Sequence, residues 1–269
     1  MRIMAAVALS AVLLSGACGG GSGAESIIGK DTLVVGVRPD LPALGLRAAN
    51  GTFTGLDVDV ARYVVGRLGA DVKFVSALAA DREPLLLSGR ADLIFATYSI
   101  TPERKTRVAF AGPYLISYQD ILVPAGERAI DNVRDLAGRT FCAVRGSNAP
   151  DRVVKERGVA ATVVTAAGYG ECVTKLQNGT VDAIATNDVI LAGLAARAGG
   201  GLRLVNARYS TERTGVGMRK GDVAGCEAVN RAITAMYQDG TARRLMDKWF
   251  DGTGLDLSVV AVPQFEGCT

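Results

Sequence analysis

A repeated order of predicted elements is the feature that most limits how this chain can fold. The segments LLLSGRADLIFAT (85–97) and VTKLQNGTVDAIATN (173–187) each read as a helix ending in glycine, then an aspartate, then an apolar strand ending in a polar residue. Two further apolar runs, LVVGVR (33–38) and TFCAVR (140–145), both finish in Val-Arg. The chain is therefore predicted to form two similar α/β units, each a mostly parallel sheet flanked by helices.

The common register of the two units matches their residues pair by pair. The matched pairs are Arg38 with Arg145, Gly89 with Gly179, Asp92 with Asp182, and Thr97 with Asn187. Sheets of this kind bind ligands outside the carboxyl ends of their strands. The members of the first and last pairs follow strand ends and are therefore expected to face one crevice, whereas Asp182 is expected to order the start of its strand.

The segment ATYSITPERK (96–105) follows an apolar run and predicts the start of a helix. Thr101 is a favourable N-cap, and Pro102 at the first helical position has no amide hydrogen to leave unpaired. Arg104 then falls at about the third position, where the helix dipole favours anions over cations. A negative group is expected there, either a carboxylate of the chain such as Glu103 or a bound anion.

The first residues of the chain resemble an export signal. The apolar stretch 3–14 is shorter than the ~18 residues that a membrane span needs. It is followed by LLSGAC, which resembles a lipobox ending in Cys18; Ser15 stands where leucine is more common, so cleavage by an ordinary signal peptidase is the alternative. We predict a signal peptide at 1–17 and a lipidated flexible tether at 18–29, which would hold the protein on the outer face of the cytoplasmic membrane.

Composition excludes several classes of function. The 269 residues include no histidine, which rules out a Ser-His-Asp triad, a Cys-His dyad and any zinc site that uses histidine. The formal net charge of +3 includes Arg2, which leaves with the signal peptide, so the remaining body is nearly neutral and does not indicate a nucleic-acid surface. Neither a metal nor a cofactor is expected, and the body is expected to be a monomer.

The four cysteines beyond the signal region predict two disulfides in an exported protein. Four cysteines allow three pairings, and buried free thiols are the alternative. We favour Cys142 with Cys172, which would fasten a strand to a helix, and Cys226 with Cys268, which would fasten the tail. The spacing does not look like a CxxC metal site.

The segment GLDVDVARYVVGRL (55–68) predicts an amphipathic helix. Its apolar face repeats at helical spacing through Leu56, Val60, Tyr63, Val64 and Leu68. Asp57 and Asp59 lie where this helix begins, so they are expected to cap it and to compensate its dipole.

Five segments together resemble the extracellular solute-binding proteins of family 3, the polar amino-acid receptors of ABC importers. In chain order they are GLDVDVARYVVGRL, ATYSITPERKTRVAFAGPY, DLAGRTFCAVRGSNAPDRV, NGTVDAIATNDVILAG and MYQDGTARRLMDKWF. The likeness covers essentially the whole chain after the signal region. RPDLPALGLRAANGTFTGLDVDVA together with ATYSI is most similar to glutamate-binding lipoproteins of that family.

The resemblance implies a two-lobed periplasmic-binding-protein-like fold of type II. Lobe 1 would comprise 30–120, lobe 2 121–214, and the return to lobe 1 with the C-terminal tail 215–269. The chain would cross between the lobes near Gln119–Val123 and Thr211–Gly217. The lobes would close on a ligand by hinge motion.

The resemblance also implies roles for single residues. Arg104 would receive the α-carboxylate of an amino acid in a two-pronged contact, with Ser99 and the backbone near Thr97 as further partners. Ser147 and Asn148 would approach the ligand from the other lobe.

The partner of the α-ammonium is less clearly marked. The family usually has an aspartate where this chain has Asn187, and Asp188 follows it. We favour Asp188 turned inward, with Asn187 as the alternative, because an ammonium buried without an opposite charge costs several kcal/mol.

The side chain of the ligand is expected to be acidic. Arg38 stands where family receptors for basic or neutral amino acids often have aspartate, so it is predicted to bind a distal carboxylate. Arg82 and Arg145 would assist it, or would be solvated or bridge the lobes. The predicted ligand is L-glutamate, possibly L-aspartate, with a glutamine or asparagine receptor as the alternative.

A few enzymes share this two-lobed fold, among them dehydratases and murein-cleaving proteins. An acid or base in the cleft would have to be Glu83, Glu171 or Asp188, and the first two lie at helix starts, where dipole compensation explains them. The chain is therefore predicted to be a transport receptor and not an enzyme. Its expected partners are an amino acid and the membrane permease of an ABC importer.

Overall fold

The computed structural model describes residues 25–255, 257 and 262–268. The predicted signal peptide and the predicted lipidation site at Cys18 lie outside these residues. Within the predicted tether, Ser26 and Ile27 are already bound to the body, since the Ser26 hydroxyl and the Ile27 amide donate to Asp222 at 2.7 and 2.8 Å. In the described part of the chain, no helix is both long enough and apolar enough to span a bilayer.

The described residues form twelve strands and seven α-helices. The strands are β1 (Thr32–Val37), β2 (Asp40–Leu41), β3 (Gly45–Arg47), β4 (Phe53–Thr54), β5 (Asp71–Ser76), β6 (Leu93–Ser99), β7 (Ala109–Pro124), β8 (Thr140–Val144), β9 (Thr162–Ala166), β10 (Ala183–Asn187), β11 (Leu202–Leu204) and β12 (Ser210–Met218). The helices are α1 (Leu56–Arg67), α2 (Arg82–Leu87), α3 (Pro102–Lys105), α4 (Tyr169–Gln177), α5 (Asp188–Arg197), α6 (Val223–Gln238) and α7 (Thr241–Phe250), with a 3-10 turn at Val133–Leu136 and a π-helical segment at Asp151–Glu156.

The large sheet has the order β5-β1-β6-β12-β7-β10-β8-β9, with β11 also paired to β7, and β2-β3-β4 form a small separate sheet. Strands β5, β1 and β6 are parallel to one another, and so are β10, β8 and β9. The pairings with β7 and β12 are antiparallel. We call the chain before β7 the first half and the chain between β7 and β12 the second half. The prediction of two α/β units with parallel strands is confirmed.

The long strands β7 and β12 join the two halves. They pair from Ser210 opposite Gln119 to Met218 opposite Ala109, and their register shifts between Thr214 and Val216. The predicted crossings fall in these two strands. The limits predicted for the lobes, 30–120, 121–214 and 215–269, stay predictions.

Apolar burial follows the predicted helical spacing. In α1, Leu56, Val60 and Val64 are buried where this helix packs against β1, β6 and α6. The second half has its own apolar cluster, which includes Phe141 and Val153. Each fully buried side chain of this size contributes roughly 1.5–3 kcal/mol relative to an exposed one.

Both favoured disulfides are present. Cys142 of β8 is bonded to Cys172 of α4, and Cys226 of α6 is bonded to Cys268 of the tail. The pairing prediction is confirmed, and the free-thiol alternative is wrong. One bond fastens a strand to the helix packed on it, and the other fastens the tail.

The internal repeat has the same physical basis in both halves. The carboxylate of Asp92 accepts from the backbone amide of Val34 at 2.9 Å, and that of Asp182 accepts from the amide of Thr140 at 2.8 Å. Each aspartate therefore braces the neighbouring parallel strand, whereas Asp182 was expected to order the start of its own strand. The glycines that follow the preceding helices, Gly89 and Gly179, also match, with left-handed φ of 71° and 76°.

Candidate ligand-binding site

The ends of strands from both halves meet around one small polar cavity. It is lined by Arg38, Ala79, Arg82, Thr97, Ser99, Arg104, Ser147, Asn148, Tyr169, Thr186, Asn187 and Ile190. Every predicted ligand-binding residue is in this set except Arg145 and Asp188. Strand ends from two parallel triplets therefore converge where the sheet rule places a ligand.

The cavity is small. It leaves ≈ 10 Å³ to the centres of water-sized molecules, which is about the space of a single water. A larger cavity of ≈ 490 Å³ lies at its mouth and shares Arg82, Arg104, Ser147 and Asn148 with it. An amino acid can therefore reach the inner residues only after the two halves separate.

Arg104 is held by the turn that ends β6. Thr101 caps α3 by accepting from the Arg104 amide at 3.2 Å, and Pro102 begins the helix, as predicted. Because α3 has a single turn, the Arg104 side chain reaches back to β6 and donates to the Ser99 carbonyl at 2.6 Å. It also donates across the halves to the Gly146 carbonyl at 2.9 Å. The alternative of a pair with Glu103 is not seen.

Arg82, at the start of α2, is fully enclosed by carbonyl oxygens. Its Nε donates to Ala79 at 2.9 Å, its Nη1 to Ala96 and Thr97 at 3.2 and 3.1 Å, and its Nη2 to Gly146 at 2.9 Å. No described carboxylate lies within ion-pair distance of it. Burial and, next, repulsion from Arg104 hold the pKa of Arg82 well below its usual value.

Arg82 and Arg104 thus form a pair of buried cations. Burial also lowers the pKa of Arg104. Both guanidinium groups donate to the same Gly146 carbonyl, and both lie over the ring of Tyr98, at 4.3 and 5.0 Å from its centroid. Buried charges are costly unless they are paired, so the pair favours an incoming anion.

Arg38, which follows β1, differs from the other two arginines. It is 2 % exposed, and its Nε and Nη2 each donate to an oxygen of Asp40 at 2.8 Å. Its guanidinium also faces the ring of Tyr169 at 5.7 Å. The charge of Arg38 is therefore already balanced within the chain.

The second half contributes neutral groups to the cavity. Asn187 accepts from Gln119 Nε2 at 3.0 Å and donates to Ser117 Oγ at 3.0 Å. Asn148 donates to the buried carboxylate of Glu212 at 2.9 Å. Amide and hydroxyl groups, not charged ones, therefore line this side.

Two buried acceptors on this side have no hydrogen-bond partner among the described residues. They are Gln119 Oε1 and Ser147 Oγ. Gln119 and Glu212 were not predicted. They lie in β7 and β12, where only the strand pairing brings them beside residues 148 and 187.

The structure does not bring Asp188 to this cavity, contrary to the favoured prediction. Its carboxylate accepts from the amides of Tyr118 and Val189 at 3.1 and 2.8 Å and lies 3.4 Å from Arg208 Nε. Burial raises the pKa of Asp188 to about 6. Since Asp188 opens α5, its side chain binds the first amide of its own helix and faces away from Asn187.

Arg145 also lies elsewhere than predicted. It is exposed and lines only the outer cavity at the mouth. The chain turns at Gly146, whose φ is 81°, and the carbonyl of that glycine enters the space between Arg82 and Arg104. A backbone oxygen therefore occupies the position that the repeat assigned to an arginine side chain.

Asp57 is a third correction. It does not cap α1, whose N-cap is Gly55, but is fully buried and accepts from the amide and hydroxyl of Thr97, both at 2.8 Å. The helical spacing could have predicted the burial of Asp57, because it lies four residues before Ala61 and seven before Val64, both of them buried.

A small polar cavity lies between two sheet halves, which two long strands connect. This is the arrangement of a protein that encloses a small solute between two lobes. The chain belongs to the bacterial extracellular solute-binding proteins, family 3, whose sequence profile matches residues 33–252. The predicted family and the two-lobed fold are confirmed. Below, the first half of the chain is called lobe 1 and the second half lobe 2.

The chain is similar in sequence or structure to three named amino-acid-binding proteins. It is 37% identical over 260 residues to the glutamate-binding protein GluB of Corynebacterium glutamicum, covering 91% of this chain and 88% of that protein. It is 31% identical over 263 residues to the ABC transporter glutamine-binding protein GlnH of Bacillus subtilis, covering 91% and 95%. The structure of an ancestral arginine-binding protein bound to arginine superposes with a TM-score of 0.76 at 31% identity, covering 82% of this chain and 98% of that one.

These relatives are named for binding amino acids. The chain is accordingly a solute-binding receptor and not an enzyme, as predicted. The named ligands are glutamate, glutamine and arginine, so family membership does not select among them.

Proposed function

We propose that this protein captures an acidic amino acid, L-glutamate or L-aspartate, between its lobes and delivers it to an ABC importer. The observation that carries the proposal is the pair Arg82 and Arg104, two buried guanidinium groups that form no ion pair with a carboxylate of the described chain. A ligand carboxylate between them supplies the missing charge. Each charge-assisted hydrogen bond contributes about 1.5–3 kcal/mol.

The two carboxylates of the ligand take different arginines. Arg104, with Ser99 and the backbone at Thr97, binds the α-carboxylate, and Arg82 is shared between the two ends. Arg38 binds the distal carboxylate through its Nη1, which its contact with Asp40 leaves available.

The α-ammonium is received by neutral oxygens. Asn187 replaces Asp188 in this role because it lines the cavity. The neighbouring Gln119 Oε1 is a buried acceptor that has no partner among the described residues. Glu212 supplies negative charge behind Asn148.

Closure follows from the contacts of Gly146. In the closed form its carbonyl accepts from both Arg82 and Arg104. Opening removes this oxygen, the ligand carboxylate becomes the acceptor of Arg82 and Arg104 in its place, and the loop from Gly146 to Asn148 returns over the ligand with Gly146 again next to Ala79. The ligand is released unchanged because its binding involves no bond breaking.

We also propose that Cys18 is lipidated and that 18–29 hold the lobes at the outer face of the membrane. The support is the lipobox-like LLSGAC, although Ser26 and Ile27 shorten the free tether. A Cys18→Ser variant should move from the membrane fraction to the soluble fraction. Equal fractionation of both forms would contradict the anchor.

Calorimetry with glutamate, aspartate, glutamine, asparagine and arginine tests the ligand class. The acidic amino acids should bind most tightly, and a ligand at 100 times its Kd should stabilise the protein by about 2.7 kcal/mol in a thermal scan. Tight binding of arginine, with none of glutamate or aspartate at millimolar concentration, would contradict the proposal.

One observation supports a second candidate. The Arg38–Asp40 pair neutralises the charge at the distal end of the cavity, and a neutral pair can hydrogen-bond the amide of glutamine or asparagine. Binding of glutamine more tightly than glutamate in the same titrations would favour this candidate.

A further inference from the structure

Asp57 is a buried carboxylate behind the ligand cavity, on the first turn of α1. Its Oδ2 accepts from the amide and the hydroxyl of Thr97, both at 2.8 Å, and its Oδ1 accepts from the Tyr114 hydroxyl at 2.8 Å. No described lysine or arginine lies within ion-pair distance of it. Burial raises the pKa of Asp57, and the three hydrogen bonds oppose that shift.

Thr97 adopts a backbone conformation that threonine rarely takes. Its φ is 45°, in the left-handed region, where a β-branched residue is strained. In an extended strand, consecutive carbonyls point to opposite sides. At Thr97, inside β6, the carbonyls of Ala96 and Thr97 both accept from Arg82 Nη1, at 3.2 and 3.1 Å. The strained backbone at Thr97 therefore builds the acceptor pair that holds Arg82.

The peptide group between Ala96 and Thr97 lies between a buried anion and a buried cation. Its N–H donates to Asp57 and its carbonyl accepts from Arg82. In a planar trans peptide these two bonds point in opposite directions, so the peptide dipole is aligned favourably with both charges. Hydrogen bonds connected in this way polarise and strengthen one another.

We propose that Asp57 is a positioning residue of the ligand site, which acts on Arg82 through the Ala96–Thr97 peptide group. This inference rests on the proposed function, in which Arg82 meets a ligand carboxylate. Asp57 touches no ligand itself. It keeps Thr97 in the left-handed conformation and so fixes the direction of the Arg82 guanidinium.

Affinity measurements on four proteins test this role. Calorimetry with glutamate should show Asp57→Ala weakened by roughly 10- to 100-fold relative to wild type, because it leaves a buried amide unpaired and releases Thr97. Asp57→Asn should lose less, since its amide oxygen can still accept from Thr97. Asp59→Ala is the matched control from the same turn of α1. Among the described residues, the side-chain partners of Asp59 are Arg62, Lys248 and Trp249, so the affinity of this variant should stay that of wild type.

A purely structural role predicts a different outcome. It would lower the melting temperature of Asp57→Ala but leave the Kd of the folded protein unchanged, measured well below that temperature. An unchanged Kd would overturn the proposal.

The Thr97→Gly background tests whether Asp57 acts through the left-handed backbone conformation of residue 97. Glycine adopts a φ of 45° without strain, so Asp57→Ala should weaken binding much less in Thr97→Gly than in the wild-type background. Equal losses in both backgrounds would contradict action through Thr97.

A second pair of variants covers the case in which Asp57→Ala does not fold. Thr97→Val keeps the β-branch and loses the hydroxyl that binds Asp57, so it should bind more weakly than Thr97→Gly. Equal affinities of these two variants would overturn the proposal.

Should wild type bind glutamine or arginine instead of glutamate, the proposed function is contradicted, and the same variants measured with that ligand still decide the role of Asp57.

Discussion

The two lobes share an architecture and differ in the chemistry that they bring to the cavity. Both brace their strands with an equivalent aspartate, Asp92 in one and Asp182 in the other. Lobe 1 carries the three buried arginines of the cavity, whereas lobe 2 lines it with serine, threonine and asparagine side chains. The repeat therefore sets where side chains lie, and the residues at the strand ends decide which lobe captures an anion.

Lobe 2 contributes glycines whose backbone lies very close to lobe 1, and not charged side chains. A Cβ on Gly146 would lie 2.9 Å from the Ala79 carbonyl oxygen, and one on Gly168 would lie 2.9 Å from the Asp40 carboxylate. A Cβ on Gly193 would overlap the Pro42 carbonyl. Gly146 and Gly193 of lobe 2 therefore face the backbone of lobe 1 at points where no side chain fits, whereas at Gly168 the Asp40 side chain would have to shift. The division predicts that arginine changes alter capture and that glycine changes alter closure.

Removing a lobe 1 charge should have the largest effect. Arg104→Ala should weaken glutamate binding by roughly 30-fold to more than 1,000-fold, the range for loss of one partner of a buried charge pair. The unliganded protein should not lose stability, because a buried cation next to Arg82 is removed. Calorimetry and thermal scans measure the two effects.

The control for this prediction comes from lobe 2. Arg145→Ala removes an exposed arginine at the mouth and should change the Kd by less than about threefold. Comparable losses for Arg104→Ala and Arg145→Ala would break the comparison between the lobes.

Blocking closure should have the next largest effect. Gly146→Ala places a methyl group against the backbone of Ala79 and Ala80, so the closed form should be destabilised and affinity should fall by about tenfold or more. Gly158→Ala is the matched control, since its φ of 65° is also left-handed but its Cβ would meet nothing within 4 Å. Small-angle scattering with saturating glutamate should show compaction of wild type and Gly158→Ala but not of Gly146→Ala.

Selectivity should change at Arg38 more than affinity does. Arg38→Ala should lose acidic ligands about tenfold more than their amides, because the distal carboxylate loses its cation. Asp40→Asn should act in the opposite direction, since it leaves the Arg38 charge unbalanced by its present partner. Titrations with glutamate and glutamine measure both, and equal losses of the two ligands in Arg38→Ala would remove Arg38 from the site.

Local patterns predicted much of this fold. The spacing of Leu56, Val60 and Val64 fixed α1, and Thr101 with Pro102 fixed the start of α3, because each depends on residues a few positions apart. The repeat placed three cavity residues, Arg38, Thr97 and Asn187, at strand ends.

Side-chain direction at those ends could not be predicted in this way. Asp188 faces Tyr118 and Arg208, Arg38 faces Asp40, and Asp57 faces Thr97. Most of these partners are distant in sequence and come together only through strand pairing and helix packing. The position of Asp57 at a helix start was explained locally by capping. Its place among the buried valines of α1, however, indicated a hydrogen-bond partner across the core.

The smallest effect on binding is expected at Asp188, which separates its role from that of Asn187. Asp188→Asn should leave the Kd within about twofold and should change the pH dependence of stability instead.

Since burial raises the folded pKa of Asp188 to about 6 from an unfolded value of roughly 4, the folded protein holds a proton between these pH values that the unfolded protein has released. Stability contributed by this group therefore falls as pH rises from 4 to 6 and is level above it. Urea unfolding across pH 4 to 7 should show a total fall in the free energy of unfolding that is smaller by on the order of 1–3 kcal/mol in Asp188→Asn. The remaining fall is due to Asp57 and Asp120, whose pKa values burial also raises. A large loss of glutamate affinity in Asp188→Asn, with none in Asn187→Ala, would instead show that Asp188 binds the α-ammonium. Lobe 2 would then also contribute a charged side chain to the site, whereas the charged side chains that line the cavity in the structure belong to lobe 1.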